Sequence, residues 1–267
     1  MYWQEGKLMD LKIKGKRALV CASSKGLGFG CAEALARAGV NLIINGRNEV
    51  SLIESAAKFR DEYHVTVEVV AADLTTREGR DAIKASAAGV DILVTNGGGP
   101  PPGVWTEWSR EDLLSAIDSN MLMPIELIQA IVPQMMERGW GRVVNITSQA
   151  VKSPIPELGL SNTARTGLTG FVAGVARQVA PFGVSINNLL PGIHATDRAI
   201  SLDRAVANRE NITVSDARQR REATIPARRY GTVEEFGATC AFLCSTHAGY
   251  IIGQNILLDG GSVKTTF

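Results

Sequence analysis

The sequence predicts an α/β fold: a doubly wound parallel sheet of about seven strands, with helices on both faces. Three observations carry this. Short runs rich in β-branched and aliphatic residues recur along the 267 residues, and each is nearly continuously apolar. That is the pattern of parallel strands covered on both faces. Longer amphipathic stretches separate the runs, so strand and helix alternate from end to end. No linker, low-complexity tract or internal repeat interrupts the alternation, and residues 1–267 read as a single domain.

Taken in order, residues 17–22 (RALVCA) form the first strand, and a glycine-rich turn leads into a helix over 27–38. Strands at 41–45 (NLIIN) and 65–70 are each followed by a helix, at 48–62 and 76–87. The strand at 91–95 (DILVT) precedes a long helix over 110–138, which starts at the capping-box-like Ser109-Arg110-Glu111-Asp112. Residues 142–147 (RVVNIT) are the fifth strand, before a helix over 160–181 closed by Ala180-Pro181-Phe182-Gly183. Strands at 184–190 and 255–258 flank a helix over 232–245. Residues 194–228 break the pattern: they are polar and arginine-rich, and they read as a helical substrate flap inserted between core elements. Residues 1–8 precede the regular pattern, and Met9 would serve as an alternative start. A flexible arm, a tag and an upstream start all fit them.

Composition excludes several classes. Twenty-eight basic and 27 acidic residues leave a formal charge of +1, so no global field favours nucleic acid or an anionic membrane. No apolar run approaches the ~18 residues needed to span a bilayer, and the N-terminus lacks a secretory pattern. A cytoplasmic protein is expected. Four cysteines, Cys21, Cys31, Cys240 and Cys244, are too few for a disulfide scaffold and lack the neighbours of a zinc site. They read as buried thiols, and no metal site is expected.

Ligands of such sheets bind beyond the carboxyl ends of the strands. There the first strand runs into Ser23-Ser24-Lys25-Gly26-Leu27-Gly28 and then a helix. Glycines let backbone amides approach a pyrophosphate, and the helix N-terminus favours its charge. The second strand ends in Asn45-Gly46-Arg47, with glycine where an NAD-binding protein places a carboxylate. Lys25 and Arg47, with no acid between them, suit a 2′-phosphate. NADP(H) is therefore expected over NAD(H).

In order and spacing, these segments resemble the short-chain dehydrogenase/reductase family across nearly the whole chain, and 3-oxoacyl-carrier-protein-reductase-like members in particular. Cys21-Ala22 through Gly26-Leu27-Gly28 stands at the family's Thr-Gly-x-x-x-Gly-x-Gly, with Ala22 for its first glycine. The resemblance implies a Rossmann fold. It implies adenine contacts from Asp73-Leu74 and sheet support beside the cofactor from Thr95-Asn96-Gly97-Gly98. It places Asn120 on the helix asparagine and Ser148, ending Asn145-Ile146-Thr147-Ser148, on the catalytic serine. Pro191-Gly192-Ile193 and Thr196 flank the nicotinamide, and Gly253-Gln254 through Asp259-Gly260-Gly261 matches the carboxyl-terminal signature. A homotetramer built on the helices at 110–138 and 160–181 and the carboxyl-terminal segment is implied too. Leu168, Phe171, Val172, Val175 and Val179 are spaced to serve either a core or an interface.

The catalytic pattern departs from the family. The family's Tyr-x-x-x-Lys starts thirteen residues after the serine, where this chain has Ser161 and then Arg165. Tyr2, Tyr63, Tyr230 and Tyr250 are followed four residues on by Gly, Val, Glu and Gln, so no displaced copy exists. A serine hydroxyl is a poorer acid than a phenol and shorter by a ring, and an arginine of pKa above ~12 does not shuttle protons. Arg165 still supplies donors to ribose and a fixed positive charge beside a developing alkoxide. His194, Lys152, Glu157, or a water ordered by Asn120, Ser148 and Ser161 are the substitute proton sources.

Two readings of the function follow. One is an atypical NADP(H)-dependent oxidoreductase that reduces a carbonyl or oxidises an alcohol, 3-oxoacyl compounds included. The other is a non-redox protein that binds or senses NADP, or a non-redox enzyme, on the same scaffold. Trp105 and Trp108, after the stiff Gly97–Gly103 loop, either wall the substrate or pack the loop. Arg198, Arg204, Arg209, Arg218, Arg220, Arg221 and Arg228 either face solvent or meet an anionic acyl thioester.

Overall fold

The computed structural model describes residues 9–266, so the segment expected as an arm at 1–8 lies outside the described residues. Seven parallel strands form one sheet in the order β3-β2-β1-β4-β5-β6-β7. They are β1 (Arg17–Val20), β2 (Asn41–Gly46), β3 (Val67–Ala71), β4 (Ile92–Thr95), β5 (Gly141–Ile146), β6 (Val184–Pro191) and β7 (Asn255–Leu258). The order reverses between β1 and β4, where a doubly wound sheet leaves a crevice at its carboxyl edge.

Period-two alternation divides the core. Ala18, Val20, Leu42 and Ile44 face one side, against α1 (Gly26–Arg37), α2 (Glu49–Tyr63) and α9 (Val233–Leu243). Leu19 and Ile43 face the other, against α3 (Arg77–Ser86), α5 (Met123–Glu137) and α6 (Gly159–Val179). The central strands β1, β2 and β4 therefore bury both faces, which is why their sequences are nearly continuous apolar runs, while the edge strands β3 and β7 are only partly buried. All four cysteines are buried and free. Leu168, Val172 and Val179 of α6 face this core, and Phe171 and Val175 are half-buried against it.

The helix expected over 110–138 is interrupted. The chain forms α4 (Arg110–Ile117), capped by a complete Ser109–Asp112 capping box, then a π-helical turn at Asp118–Leu122, then α5. Pro124 lacks the N–H that an α-helix would donate to the Asn120 carbonyl, and the wide turn sits at that residue. Turns of this kind recur at functional sites.

A polar ladder crosses the carboxyl half of the sheet. Thr95 Oγ1 donates to Asn145 Oδ1 at 2.7 Å, Asn145 Nδ2 to Asn188 Oδ1 at 3.0 Å, and Asn188 Nδ2 to Asn255 Oδ1 at 2.8 Å. These are registered neighbours on β4, β5, β6 and β7. Each amide satisfies the next, which is what lets four polar side chains sit inside the sheet.

Residues 194–228 do form helices, α7 (Asp197–Glu210) and α8 (Val214–Thr224). Buried Asp203 of α7 accepts from Arg221 of α8 and, at 2.8 Å, from Tyr230 Oη. Arg218 pairs with Glu222, and Arg209 and Arg220 share Glu210. Arg228 donates to the Ala223 carbonyl. Most of the arginines that stood out in the sequence are thus used inside the segment. Among the described residues no helix is long and apolar enough to cross a membrane.

Candidate active site

A cavity of about 560 Å³ opens beyond the carboxyl ends of β4, β5 and β6, beside the glycine turn. It collects residues from distant parts of the chain: Lys25-Gly26-Leu27, Asn96-Gly97, Ser148, Ser161, Arg165, Pro191-Gly192-Ile193 and Thr196. Of the residues singled out in the sequence, Ser23, Ser24, Gly28, Arg47, Asp73, Leu74 and Asn120 do not line it. They lie behind the turn, along the neighbouring strand ends, or beneath the floor.

The turn is shaped for close approach. Ala22 and Gly26 have φ of +46° and +62°, in the left-handed region. A Cβ on Gly28 would lie 2.3 Å from the Ala22 carbonyl oxygen and 2.8 Å from Asn96 Nδ2, which itself donates to that carbonyl at 3.3 Å. Ser23 is buried and donates to the Val20 carbonyl at 2.8 Å. Lys25 occupies the N-cap of α1 but makes no side-chain cap, so first-turn amides are left to meet an anion. A cradle that excludes even a methyl group, with uncapped amides above it, fits a dinucleotide pyrophosphate. Asn45 was not singled out by the sequence. Its Nδ2 donates to the Val70 and Ala72 carbonyls, both at 3.0 Å, and so fixes the edge beside the turn.

At the end of β2, a Cβ on Gly46 would sit 3.3 Å from Ser24 Oγ and 3.5 Å from Leu52 Cδ2, so the strand end is closely flanked and carries no carboxylate of its own. Arg47 lies 3.9 Å from Asp73 and Lys25 lies 3.5 Å from Asp197. The two cations therefore rest on separate carboxylates and do not converge on one point. Hydrogen bonds from Thr75, first the backbone N–H and then the hydroxyl, together with Arg47, hold the Asp73 carboxyl below its usual pKa.

The catalytic candidates gather at the floor. Arg165 Nη1 donates to the Ile146 carbonyl at 2.8 Å and Nε donates to Ser161 Oγ at 3.2 Å. Both side chains are buried. Burial, and secondarily the charge of Arg198, pushes the Arg165 pKa down to about 10, below the value its sequence implied. It remains a cation at neutral pH. Ser161 accepts from Arg165, so its own proton is free to turn toward the cavity. Ser148 caps the short turn Gln149–Val151, its Oγ accepting from Ala150 N at 3.1 Å. Asn120 sits in the π turn with Nδ2 donating to Ser119 Oγ at 2.8 Å, and its Oδ1 is buried with no partner.

His194 lines the cavity, but its ring is held by other partners. It is buried, its ring meets Phe236 edge-on at 5.2 Å, and Nδ1 lies 3.3 Å from the Gly192 carbonyl. Burial lowers its pKa, so at neutral pH it is uncharged. Its backbone pairs with Gly231, which anchors the flap to the chain leading into α9. The unfolded chain takes up a proton near pH ~6.5, while the folded chain resists until a lower pH. Stability attributable to His194 is therefore complete above ~6.5 and is lost as pH falls below it. Thermal melts between pH 7.5 and 5.5 should show this loss, and His194→Gln should reduce it. Glu157 lines the cavity but is exposed, and Lys152 does not line it. Trp108 lies against Gly103 and Gly159, where added Cβ atoms would meet its ring at 2.7 and 2.2 Å. It packs the loop, whereas Trp105 is 76 % exposed.

Fold and site together define a Rossmann-type, dinucleotide-binding oxidoreductase scaffold. A profile described as Enoyl-(Acyl carrier protein) reductase matches residues 21–263. Dehydrogenase/reductase SDR family member 4 of Bos taurus is 32% identical over 94% of this chain and 88% of its own length. The 3-oxoacyl-[acyl-carrier-protein] reductase FabG of Aquifex aeolicus is 31% identical over 95% of this chain and 99% of its own. L-sorbose reductase of Gluconobacter frateurii, solved with NADPH and L-sorbose, superposes with a TM-score of 0.92. It is 28% identical, over 96% of this chain and all of the other. The chain belongs to the short-chain dehydrogenase/reductase family and is an oxidoreductase by that membership.

Proposed function

We propose that this protein is an NADP(H)-dependent carbonyl reductase, working in either direction, in which Ser161 and Arg165 stand where the family has tyrosine and lysine. The observation that carries it is the cluster on the cavity floor: Ser148, Ser161 and Arg165 face one space beside a turn too tight for a Cβ at Gly28. Ser23, Ser24, Lys25, Gly26, Leu27 and Gly28 would hold the pyrophosphate end, Asp73 and Leu74 the adenine, and Asn96, Gly97, Pro191, Gly192, Ile193 and Thr196 the nicotinamide end. The nicotinamide supplies the hydride when bound.

The chain's own residues do the rest. Ser148 donates a hydrogen bond to the carbonyl oxygen, and Arg165 holds positive charge where negative charge develops. Arg165 also has donors to spare for ribose hydroxyls. The proton reaches the oxygen through water held by Asn120, Ser148 and the Ser161 hydroxyl, because the ionisable groups on the cavity wall are placed otherwise: His194 packs on Phe236 and the Gly192 carbonyl, Asp197 pairs with Lys25, and Glu157 is exposed. The 194–228 segment covers the substrate. NADPH oxidation monitored across ketones, quinones and acyl thioesters tests the reading; tight NADPH binding with no turnover anywhere in that screen overturns it in favour of a non-redox NADP-binding role.

Preference for NADP(H) rests on the end of β2, where Gly46 brings no carboxylate and the exposed Arg47 follows it, with Ser24 beside. Arg47 exchanges its contact with Asp73 for the 2′-phosphate. Arg47→Ala should weaken NADPH binding about 10-fold and leave NADH within about 2-fold, since an exposed charge-assisted hydrogen bond is worth about 1.5 kcal/mol. Titration showing NADH bound as tightly as NADPH by the unmodified protein removes the claim. Self-association to a homotetramer in the cytoplasm is part of the same reading. Exposed Leu113, Leu114 and Leu122 supply apolar area on the 110–138 segment. Light scattering at micromolar concentration should return four chains; a monomer contradicts it.

A further inference from the structure

We propose that Arg198 is a substrate-recognition residue, and that the carbonyl compound this site takes carries a carboxylate. The inference rests on the oxidoreductase reading above and narrows its substrate class.

It starts from the charges around the cavity. Four cationic side chains line it: Lys25, Arg165, Arg198 and Arg221. Two are neutralised. Lys25 pairs with Asp197 at 3.5 Å, and Arg221 pairs with buried Asp203. Arg165 and Arg198 have no carboxylate partner among the described residues. Arg165 is tied to the Ile146 carbonyl and Ser161, both neutral. Arg198 reaches only the Gly99 and Pro100 carbonyls, both at 3.4 Å. That length is at the edge of a hydrogen bond, so the guanidinium gives up little by turning to a ligand. Buried Arg165 and exposed Arg198 are thus two unpaired cations lining one cavity, and an anion between them would be attracted by both. The Glu157 carboxylate also lines the cavity, but it is exposed and joins no ion pair among the described residues.

Helix geometry separates this charge from the cofactor end. Thr196 caps α7, and its methyl group approaches the glycine turn, 3.8 Å from where a Gly26 Cβ would stand. Asp197 meets Lys25 on that same side. One residue further, at about 100° per residue, Arg198 points across the cavity to the loop after β4. The start of α7 thus spans the mouth: Asp197 holds the turn where a pyrophosphate would bind, and Arg198 faces the space left for substrate. A planar guanidinium fork matches a carboxylate with two parallel bonds.

The test uses the full chain with saturating NADP+ and a panel of keto acids whose carboxylate lies one to five carbons from the ketone. Each acid is compared with its methyl ester by titration calorimetry, and NADPH oxidation is measured alongside. At least one keto acid should bind 10-fold or more tightly than its ester. Arg198→Ala should abolish that difference, Arg198→Lys should restore part of it, and NADPH affinity should stay within 2-fold in both variants. Acid and ester binding alike, no acid binding at 10 mM, or Arg198→Ala weakening ester or NADPH equally would each overturn the proposal. Acid selectivity that depends on Arg198 but comes without any NADPH oxidation would keep the anion site and overturn the reductase reading instead.

Discussion

Replacing Arg165 with methionine should lower turnover on a confirmed carbonyl substrate by about 10²–10³-fold, since losing one donor at a developing oxyanion costs about 2.7–4 kcal/mol. The same change should leave the melting temperature nearly unchanged. The guanidinium is buried with no carboxylate beside it, and an uncompensated buried charge is a cost to the folded state that an apolar side chain of similar length removes. Against this stand two lost bonds, to the Ile146 carbonyl and to Ser161 Oγ; the carbonyl, a buried acceptor left unpaired, costs about 1–3 kcal/mol, while the serine hydroxyl can turn to water. The two effects oppose and roughly cancel. Activity falling while stability holds is the signature of a group kept for chemistry. Arg165→Lys keeps the charge but cannot reach the Ile146 carbonyl and Ser161 together as the fork does, so it should recover part of the rate. Ser148→Ala should cost a similar factor to Arg165→Met. Ser161→Ala should cost less, because Ser161 acts through water and by accepting from Arg165. Steady-state turnover of the four variants on one substrate decides the matter: wild-type rates for both Ser148→Ala and Arg165→Met would show that neither stabilises the oxyanion.

The alternation of apolar runs and amphipathic stretches was sufficient to place all seven strands and the order of the helices, because a parallel strand buried on both faces has few other ways to be written. The positions where the structure says more are those that depend on register or on distant partners. Nothing local to Asn145, Asn188 or Asn255 reveals that they are cross-strand neighbours; only the pairing of β5, β6 and β7 makes them a ladder. His194 follows the Pro191-Gly192 pair at a place where a titrating residue reads as a proton source. Its partner is Phe236, brought to it by the fold, and burial there leaves it neutral. The break in the 110–138 helix was written in Pro124, but amphipathic periodicity runs on through a π turn and hides it. Lys25 and Arg47 read from the sequence as two cations with no acid between them, yet each rests on a carboxylate contributed from elsewhere, Asp197 and Asp73. Arg198 was one arginine among seven in a polar segment; of the two that line the cavity, Arg221 is paired with Asp203, and that leaves Arg198 standing apart.

Gly28→Ala should reduce NADPH affinity by more than about 10²-fold and destabilise the chain by about 1–3 kcal/mol, the usual cost of forcing an extra carbon into a packed site. The new Cβ would stand 2.3 Å from the Ala22 carbonyl oxygen, which is backbone and cannot swing aside, and 2.8 Å from Asn96 Nδ2. Relief requires the turn itself to open, and that moves the Ala22 carbonyl, the Asn96 side chain that bonds it and the first-turn amides of α1 together. Two other substitutions in the same turn separate crowding from backbone strain. Gly26 has φ of +62°, but a Cβ there has open space, with Thr196 Cγ2 nearest at 3.8 Å. Gly26→Ala should therefore cost only the left-handed penalty, about 1–2 kcal/mol, with a smaller loss of affinity. Ala22 already bears that penalty at φ +46°, so Ala22→Gly should stabilise by up to about 1 kcal/mol, a gain limited by the extra freedom glycine has when unfolded. Chemical denaturation and NADPH titration of the three variants give three different outcomes from three neighbouring positions. If Gly28→Ala binds NADPH as the parent does, the turn does not hold the pyrophosphate, and the cofactor must enter some other way.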